Sequence, residues 1–259
     1  MLFSANIGFL YTNLPLPDRI RAAKRAGFDA VECHFPYDVP VAEMRAALEE
    51  TGLPMLGLNT VPGNPAAGDF GLAALPDRAE EAAAAVRQAV DYGAAMGAAN
   101  VHVMAGRTDG GAAAEAAYRA TLGLACDLAA EKGMTVLIEP INRRDVAGYH
   151  LAHVEQAAET IAALGRDNLR IMFDCYHTQI MQGDLIRRFQ THLPLVGHVQ
   201  IAAVPDRGEP DGGEISFERL LATFATAGWE APVGAEYKPR GGDTEAGLGW
   251  LAPLRAALI

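Results

Sequence analysis

The chain has 259 residues, half of them apolar, and a formal net charge of −11 at pH 7. This acidic balance disfavours nucleic acids and anionic membranes as partners, because both bind clustered Lys and Arg. We find no run of about 18 apolar residues, which would indicate a membrane-spanning helix, and the first residues do not read as a signal peptide. Three widely spaced cysteines, Cys33, Cys126 and Cys175, predict free thiols in a reducing cytoplasm.

Short apolar runs alternate with longer Ala-rich segments of helical period along the whole chain. The predicted strand–helix pairs, in chain order, are 2–8 with 17–27, 28–35 with 41–52, 54–60 with 76–97, 100–106 with 111–133, 134–140 with 151–165, 168–174 with a helix that begins near Tyr176, 195–201 with 216–228, and 231–239 with 244–258. Eight such pairs with continuous apolar strands predict a parallel sheet buried on both faces.

These units favour an α/β protein with a single domain over 1–259, folded as a (β/α)8 TIM barrel. A doubly wound open sheet is the alternative, but the first strand ends in ANIGFLYTN and not in a Gly-rich nucleotide fingerprint. Three long connections, 59–75, 140–150 and 202–215, follow strands. They would therefore lie on the face where barrel enzymes hold their active sites, and we expect them to enclose a substrate.

Four polar residues each stand at the end of a predicted strand, about one strand–helix unit apart. We call them the strand-end quartet: Glu139, Asp174, Gln200 and Glu236. A barrel would bring their tips to one side of its mouth. Three carboxylates and a carboxamide suit a hard divalent ion, Mg²⁺ with Mn²⁺ as an alternative, better than zinc. The competing interpretation is that each residue only caps loop amides.

Three further residues are candidates for binding substrate. His177 lies three residues beyond Asp174 in DCYH and could contact substrate oxygens or a developing oxyanion, or only cap a helix. Arg207, in the loop after the seventh strand, suits an anionic group because a guanidinium binds carboxylates through two donors. Lys238, two residues beyond Glu236, is a second cation. A solvated surface position for Arg207 and an internal ion pair for Lys238 stay open.

The remaining polar residues on the strands have less context. His102 alternates with apolar Val101 and Val103, which favours a hydrogen-bonded core histidine over a ligand. Glu32 is interpreted in the same way, although an inward polar pair with His34 stays open. His198 has no neighbouring motif that indicates a role.

The same segments resemble the hydroxypyruvate isomerases and 2-oxo-tetronate isomerases of the xylose isomerase-like barrel superfamily. The resemblance covers essentially the whole chain, and its most specific segments are HVQIA with PDRGEP and GEI, and EYKP with TEAGL. It implies that Glu139 and Glu236 are the catalytic pair and that both bind the metal with Asp174 and Gln200. Gln200 matches the isomerase branch, since related sugar epimerases carry a histidine there.

The resemblance implies a small hydroxy-keto acid as substrate and proton transfer through an enediolate. IEPINRRDVAGYH is more similar to hydroxypyruvate isomerase, whereas NTVPGNPAAGDFGLAALPDR is at least as similar to the four-carbon 2-oxo-tetronate branch. A ketose epimerase and a barrel that only binds a small acid stay open. An endonuclease that cuts abasic DNA is disfavoured, because that class needs a His-rich multi-zinc cluster and a basic groove, whereas this chain has seven scattered histidines and an acidic balance. The oligomeric state, including a homo-oligomer, is not set by the sequence.

Overall fold

A computed structural model describes residues 1–258 of the chain. Its strands, in chain order, are β1 Phe3–Asn6, β2 Ala30–Glu32, β3 Gly57–Asn59, β4 Asn100–His102, β5 Thr135–Ile138, β6 Leu169–Asp174, β7 Val196–Ile201 and β8 Val233–Ala235. Its helices are α1 Leu16–Arg25, α2 Val41–Thr51, α3 Ala79–Met96, α4 Ala112–Ala130, α5 Val154–Leu164, α6 Cys175–Met181, α7 Leu185–His192, α8 Phe217–Thr226 and α9 Leu251–Ala257.

The strands form one parallel sheet in the order β2-β1-β8-β7-β6-β5-β4-β3. The two end strands meet through a parallel bridge between Val31 and Met55, and the Cys33 amide donates to the Gly57 carbonyl at 3.0 Å. The sheet therefore curls into a nearly closed barrel with helices between its strands. The prediction of a single-domain (β/α)8 barrel is confirmed, and the doubly wound sheet is excluded.

The apolar character of the strands and the end points of the helices both follow from local sequence. The strands are buried almost throughout, since the inner face packs in the barrel and the outer face packs on helices. Gly52 and Gly165 end α2 and α5 in the left-handed conformation, with φ of 67° and 58°, which glycine adopts without a Cβ clash. Among residues 1–258, no helix is long and apolar enough to cross a membrane.

Two connections differ from the prediction. The segment after β6 holds two helices, α6 and α7, where one was expected, because Gly183 and Asp184 both take a left-handed conformation and interrupt the chain. The segment 244–258 begins as a 3-10 turn over Glu245–Trp250 and becomes α-helical only in α9. Two glycines within that turn lower its α-helical propensity.

The core is continuous around the barrel and contains all three cysteines as buried free thiols. An aromatic cluster anchors α7 to the sheet. Phe189 stacks on Phe224 at a centroid distance of 3.7 Å and meets Phe173 and Trp229 edge-on at 5.6 and 5.9 Å. The helix that the sequence did not predict is thus fixed by one fully buried side chain.

Replacement of Phe189 by Ala should reduce the free energy of unfolding by about 3–5 kcal/mol, because a buried aromatic ring is lost and a cavity is left. Urea denaturation followed by circular dichroism measures this loss. Leu2→Ala, at a side chain that is 47% exposed, is the control and should change stability by less than about 0.5 kcal/mol. A loss below about 1 kcal/mol for Phe189→Ala would show that α7 is held elsewhere.

Candidate active site

The strand-end quartet lies at the carboxyl ends of β5 to β8. Asp174 is the last residue of β6, and Glu139 and Glu236 directly follow β5 and β8. Gln200, near the end of β7, is the register partner of Asp174. All four side chains are buried, with at most 6% exposure. The strand ends therefore bring the quartet to one edge of the barrel, as the parallel register requires.

Three members of the quartet converge tightly with one histidine. Glu139, Asp174, His177 and Glu236 each offer one potential ligand atom, and these atoms all lie within 4.8 Å of one another. Coulomb repulsion would oppose three carboxylates at this separation unless protons or cations neutralise them. The geometry is therefore that of a possible metal centre.

The unpartnered atoms of the quartet agree with a cation site. Glu139 Oε1, Asp174 Oδ2 and Gln200 Oε1 are buried and accept no hydrogen bond from any residue in the described chain. Leaving a buried acceptor without a donor is costly, and such atoms are usually satisfied by a ligand or ion. Three oxygen donors of this kind fit a hard divalent ion such as Mg²⁺ or Mn²⁺.

The two carboxylate oxygens of Asp174 have different roles: one caps a helix and the other faces the site. Oδ1 accepts from the backbone amides of Tyr176 at 2.6 Å and His177 at 3.4 Å, and so caps the N-terminus of α6. Oδ2 is the oxygen left without a donor. The cap fixes the carboxylate plane, and α6 then holds His177 beside the quartet.

The hydrogen bonds of His177 define its tautomer. The backbone amide of Asn142 donates to His177 Nδ1 at 3.2 Å, so Nδ1 carries no proton. Burial, and then the charge of Arg207, lower the pKa of His177 well below its ordinary value, so the ring is neutral. Nε2 therefore bears the hydrogen, and it lies 3.5 Å from Glu139 and 3.6 Å from Asp174. In this state His177 is a donor within the site and has no lone pair at Nε2 to offer an ion.

Glu236 is the carboxylate of the site whose negative charge is best compensated by neighbouring donors and cations. Arg207 donates to its Oε2 at 2.6 Å, while Oε1 lies 3.0 Å from both His34 Nε2 and Asn6 Nδ2. Burial acts to raise the pKa of Glu236, but Arg207 and His34 outweigh it and hold that pKa well below its ordinary value. Glu236 is therefore ionised at neutral pH.

Glu139 has the opposite environment. The nearest basic side chains, at His102 Nδ1 and His177 Nε2, are 3.7 and 3.5 Å away, and burial lowers the pKa of both rings, so neither supplies a positive charge at neutral pH. Burial, followed by the carboxylates of Glu236 and Asp174, raises the pKa of Glu139 well above its ordinary value. Burial and the charge of Glu236 also raise the pKa of Asp174 to about 7. The site thus holds one firmly ionised glutamate and one that binds a proton when no cation compensates it.

The two predicted cations, Arg207 and Lys238, differ in whether they are free to bind an anionic substrate group. The Arg207 guanidinium lies between the rings of Phe9 and Tyr176, 5.0 Å from each centroid, and is bound to Glu236. Lys238 is exposed, its Nζ lies 5.9 Å from the Phe9 centroid, and it forms no ion pair within residues 1–258. The solvated surface position considered for Arg207 and the internal ion pair considered for Lys238 are both wrong.

Sequence reasoning missed a second polar layer that adjoins the quartet. Glu32 pairs with His198 and not with His34, which instead contacts Glu236. His102 is buried as expected, but its Nε2 has no partner in the described chain, and it lies beside Glu139. The signal that was available was a polar residue at every second position in GHVQI, which places His198 and Gln200 on the same face of β7.

Residues 20–254 match the family model described as "Xylose isomerase-like TIM barrel". The chain is 42% identical to the 2-oxo-tetronate isomerase of Cupriavidus necator, with 97% of each chain covered. It is 36% identical to the hydroxypyruvate isomerase of Escherichia coli, covering 98% of this chain and 99% of that one. A crystal structure from Brucella melitensis, titled AP endonuclease, family 2, superposes with a TM-score of 0.93 at 38% identity, covering 97% and 98% of the two chains.

Both named relatives are isomerases that align over nearly their whole length, and this chain is an enzyme of the isomerase class. The matching family model spans most of the barrel, including every member of the quartet. The chain therefore belongs to the xylose isomerase-like TIM barrel family.

Proposed function

We propose that the chain is a divalent-metal-dependent isomerase that interconverts hydroxypyruvate and tartronate semialdehyde through an enediolate. The observation that carries the proposal is the pair of buried glutamates, Glu139 and Glu236, which share one site with Asp174. Two carboxyl groups in contrasting environments are what a reaction needs when one proton must be taken and another given. The similarity to hydroxypyruvate isomerase supports the substrate class.

The reaction moves one carbonyl and one hydrogen between adjacent carbons, with no net oxidation. One glutamate removes the C3 proton of hydroxypyruvate, and the C2 carbonyl becomes part of an enediolate. The other glutamate delivers a proton to C2, while the hydroxyl proton on the C3 oxygen moves to the C2 oxygen. In the reverse direction Glu139 and Glu236 exchange roles, so each serves once as base and once as acid.

The quartet Glu139, Asp174, Gln200 and Glu236 would hold the metal, with Mg²⁺ favoured and Mn²⁺ as the alternative. A bound divalent ion stabilises negative charge that develops on neighbouring carbonyl and hydroxyl oxygens. The Nε2–H of His177 donates a hydrogen bond into the same space, where it stabilises the oxygen that becomes negative. Burial of the quartet excludes bulk water and strengthens both interactions.

Lys238 is the best placed group for the substrate carboxylate, because Arg207 is already bound to Glu236. Arg207 and Lys238 both lie near the Phe9 ring, at 5.0 and 5.9 Å from its centroid, so Arg207 adds positive charge to the same part of the mouth. A carboxylate at this rim would leave the two reacting carbons of a small acid to extend toward the buried glutamates.

A four-carbon 2-oxo acid is the second candidate substrate, since the 2-oxo-tetronate isomerase of Cupriavidus necator is 42% identical to this chain. The deciding assay supplies Mg²⁺ or Mn²⁺ and compares hydroxypyruvate, 2-oxo-tetronate and free ketoses by kcat/KM. Higher kcat/KM with hydroxypyruvate supports the proposal. Preference for the four-carbon acid or for a ketose reassigns the substrate, and absence of solvent deuterium incorporation into any of them favours a barrel that only binds a small acid.

Asp174→Asn tests the metal centre. The Asn carbonyl can still cap α6, so the metal-free protein should keep its melting temperature within a few degrees, but an amide group replaces the free oxygen. Isothermal titration should show that Mn²⁺ binding is weakened at least tenfold, and the Mn²⁺-induced rise in melting temperature should disappear. Asp184→Asn, on the exposed turn before α7, is the matched control. Equal Mn²⁺ affinity in Asp174→Asn and the unmodified protein would remove Asp174 from the centre.

Glu139→Gln and Glu236→Gln test the acid/base pair. Each should lower kcat with hydroxypyruvate by about a hundred- to ten-thousand-fold, because a carboxamide cannot exchange a proton at neutral pH. Circular dichroism checks that both variants are folded, and solvent deuterium incorporation should fall in parallel with kcat. Glu230→Gln, at an exposed position before β8, is the control. Near-normal turnover in either folded variant would show that the residue is not the acid or base.

Lys238→Met tests the binding of the substrate carboxylate. We expect KM for hydroxypyruvate to rise about tenfold with little change in kcat, because the carboxylate contact is the same in substrate and transition state. Lys238→Arg should recover most of the affinity, and Lys24→Met at the far end of α1 is the control. An unchanged KM in Lys238→Met would place the carboxylate on another group.

A further inference from the structure

Glu32 is a buried carboxylate that the proposed reaction does not use. It ends β2, is 4% exposed, and accepts hydrogen bonds from four side chains. Ser4 and Asn6 donate from β1, at 3.3 and 3.1 Å; Gln200 donates from β7 at 2.9 Å, and His198 lies in close contact. Glu32 therefore joins β2 to its neighbour β1 and also to β7, which is not its neighbour in the sheet.

Glu32 fixes the orientation of the Gln200 carboxamide. An ionised carboxylate only accepts hydrogen bonds, so Gln200 must present its nitrogen to Glu32. Nε2 donates to Glu32 Oε1, and the amide oxygen is then directed elsewhere. That oxygen is the buried, unpartnered Oε1 that Gln200 would offer to the metal. Without an acceptor at position 32, the amide could turn over and present nitrogen in its place.

Glu32 also acts on Glu236 through Asn6. The Asn6 side-chain nitrogen donates one hydrogen to Glu32 Oε1 at 3.1 Å and the other to Glu236 Oε1 at 3.0 Å. The Asn6 oxygen accepts from the Gly8 amide, which fixes the amide orientation. One short chain of hydrogen bonds thus connects Glu32 to two members of the quartet, Gln200 directly and Glu236 through Asn6.

The packing leaves room for this arrangement and for little else. Gly234 on β8 is the register partner of both Ser4 and Gln200. A Cβ at Gly234 would lie 2.7 and 2.8 Å from the Glu32 oxygens and 3.0 Å from the Gln200 side chain. The cavity beside Glu32 is only about 20 Å³, near the volume that holds a single water, so no substrate reaches this carboxylate.

We propose that Glu32 is a positioning residue, which orients Gln200 and, through Asn6, Glu236 so that their oxygens face the metal centre. The inference rests on the metal centre of the proposed function and assigns a role to a residue outside the quartet. Partners in the second layer of a metal site commonly change affinity or activity by 10- to 100-fold when they are lost. His198 compensates the Glu32 charge, and within residues 1–258 it forms no hydrogen bond or ion pair with any member of the quartet.

Glu32→Leu removes both acceptor oxygens and should weaken Mn²⁺ binding to the metal-free protein by about 10- to 100-fold in isothermal titration. The measurement needs no substrate, and circular dichroism checks the fold. Ser4→Ala, which removes only the longest hydrogen bond to Glu32, is the matched control and should bind Mn²⁺ as the unmodified protein does. If Glu32→Leu does not fold, Glu32→Asp serves instead, because it keeps the charge but is too short to hold all four donors.

A double-variant cycle separates orientation from general stability. Gln200→Ala removes the amide that Glu32 orients and should itself weaken Mn²⁺ binding. In the Gln200→Ala background, Glu32→Leu should cost about threefold less Mn²⁺ affinity than in the unmodified protein, because the contact through Gln200 is already lost. A merely structural role for Glu32 predicts that the losses of the two single variants add in the double variant.

The outcomes distinguish this inference from the proposed function. Unmodified protein that binds Mn²⁺ but isomerises none of the acids overturns the function alone. Equal Mn²⁺ affinity in Glu32→Leu and the unmodified protein, or additive losses in the double variant, overturns the positioning role alone. Failure of the unmodified protein to bind Mn²⁺ overturns the metal centre and the positioning role together.

Discussion

The structure of the barrel mouth depends on the cost of burying carboxylates. Glu32, Glu139, Asp174 and Glu236 are each at most 6% exposed. A buried carboxylate costs several kcal/mol unless hydrogen bonds or charges replace its water. Glu32 has His198 and three neutral donors, Glu236 has Arg207 and His34, and Asp174 has the first amides of α6. Glu139 has the weakest compensation, which leaves it a proton or a cation to bind.

This unequal compensation of negative charge distinguishes two polar layers: an inner one around Glu32 and His198, and the quartet above it. Glu32 and His198 form a close pair inside the barrel, and both Glu32 oxygens accept hydrogen bonds. The quartet above them is left with three unpartnered oxygens. A carboxylate held by four side chains is rigidly placed, so it can hold its neighbours in the quartet in an arrangement that their buried, unpartnered oxygens make unfavourable. The inner polar layer and the site therefore form one unit, and the surrounding apolar core supplies the stability that this unit lacks.

Local patterns were sufficient to predict the strands and the quartet. Apolar runs such as MTVLI and NLRIMF predict buried parallel strands, and a carboxylate that ends such a run is visible without a structure. The division of the β6–β7 connection was missed, because it depends on backbone conformations at Gly183 and Asp184. Glu32 and His198 are 166 residues apart, on strands that are not adjacent, so their pairing follows from the closure of the barrel and not from any segment.

The proposed chemistry also bears on why relatives of similar identity carry different substrate names. In the proposed reaction Glu139 and Glu236 transfer protons at C2 and C3, and this step would be the same for a three-carbon and a four-carbon acid. The carboxylate is attached to C2 in both acids, so the extra carbon of the four-carbon acid is attached to C3, at the end of the substrate away from the carboxylate. Lys238, beside Phe9, would then bind the carboxylate of either acid, and we expect the loops 59–75 and 202–215, which follow β3 and β7, to determine whether the extra carbon is accepted. A change of substrate length would therefore need changes in these loops alone, and the buried layers could stay as they are.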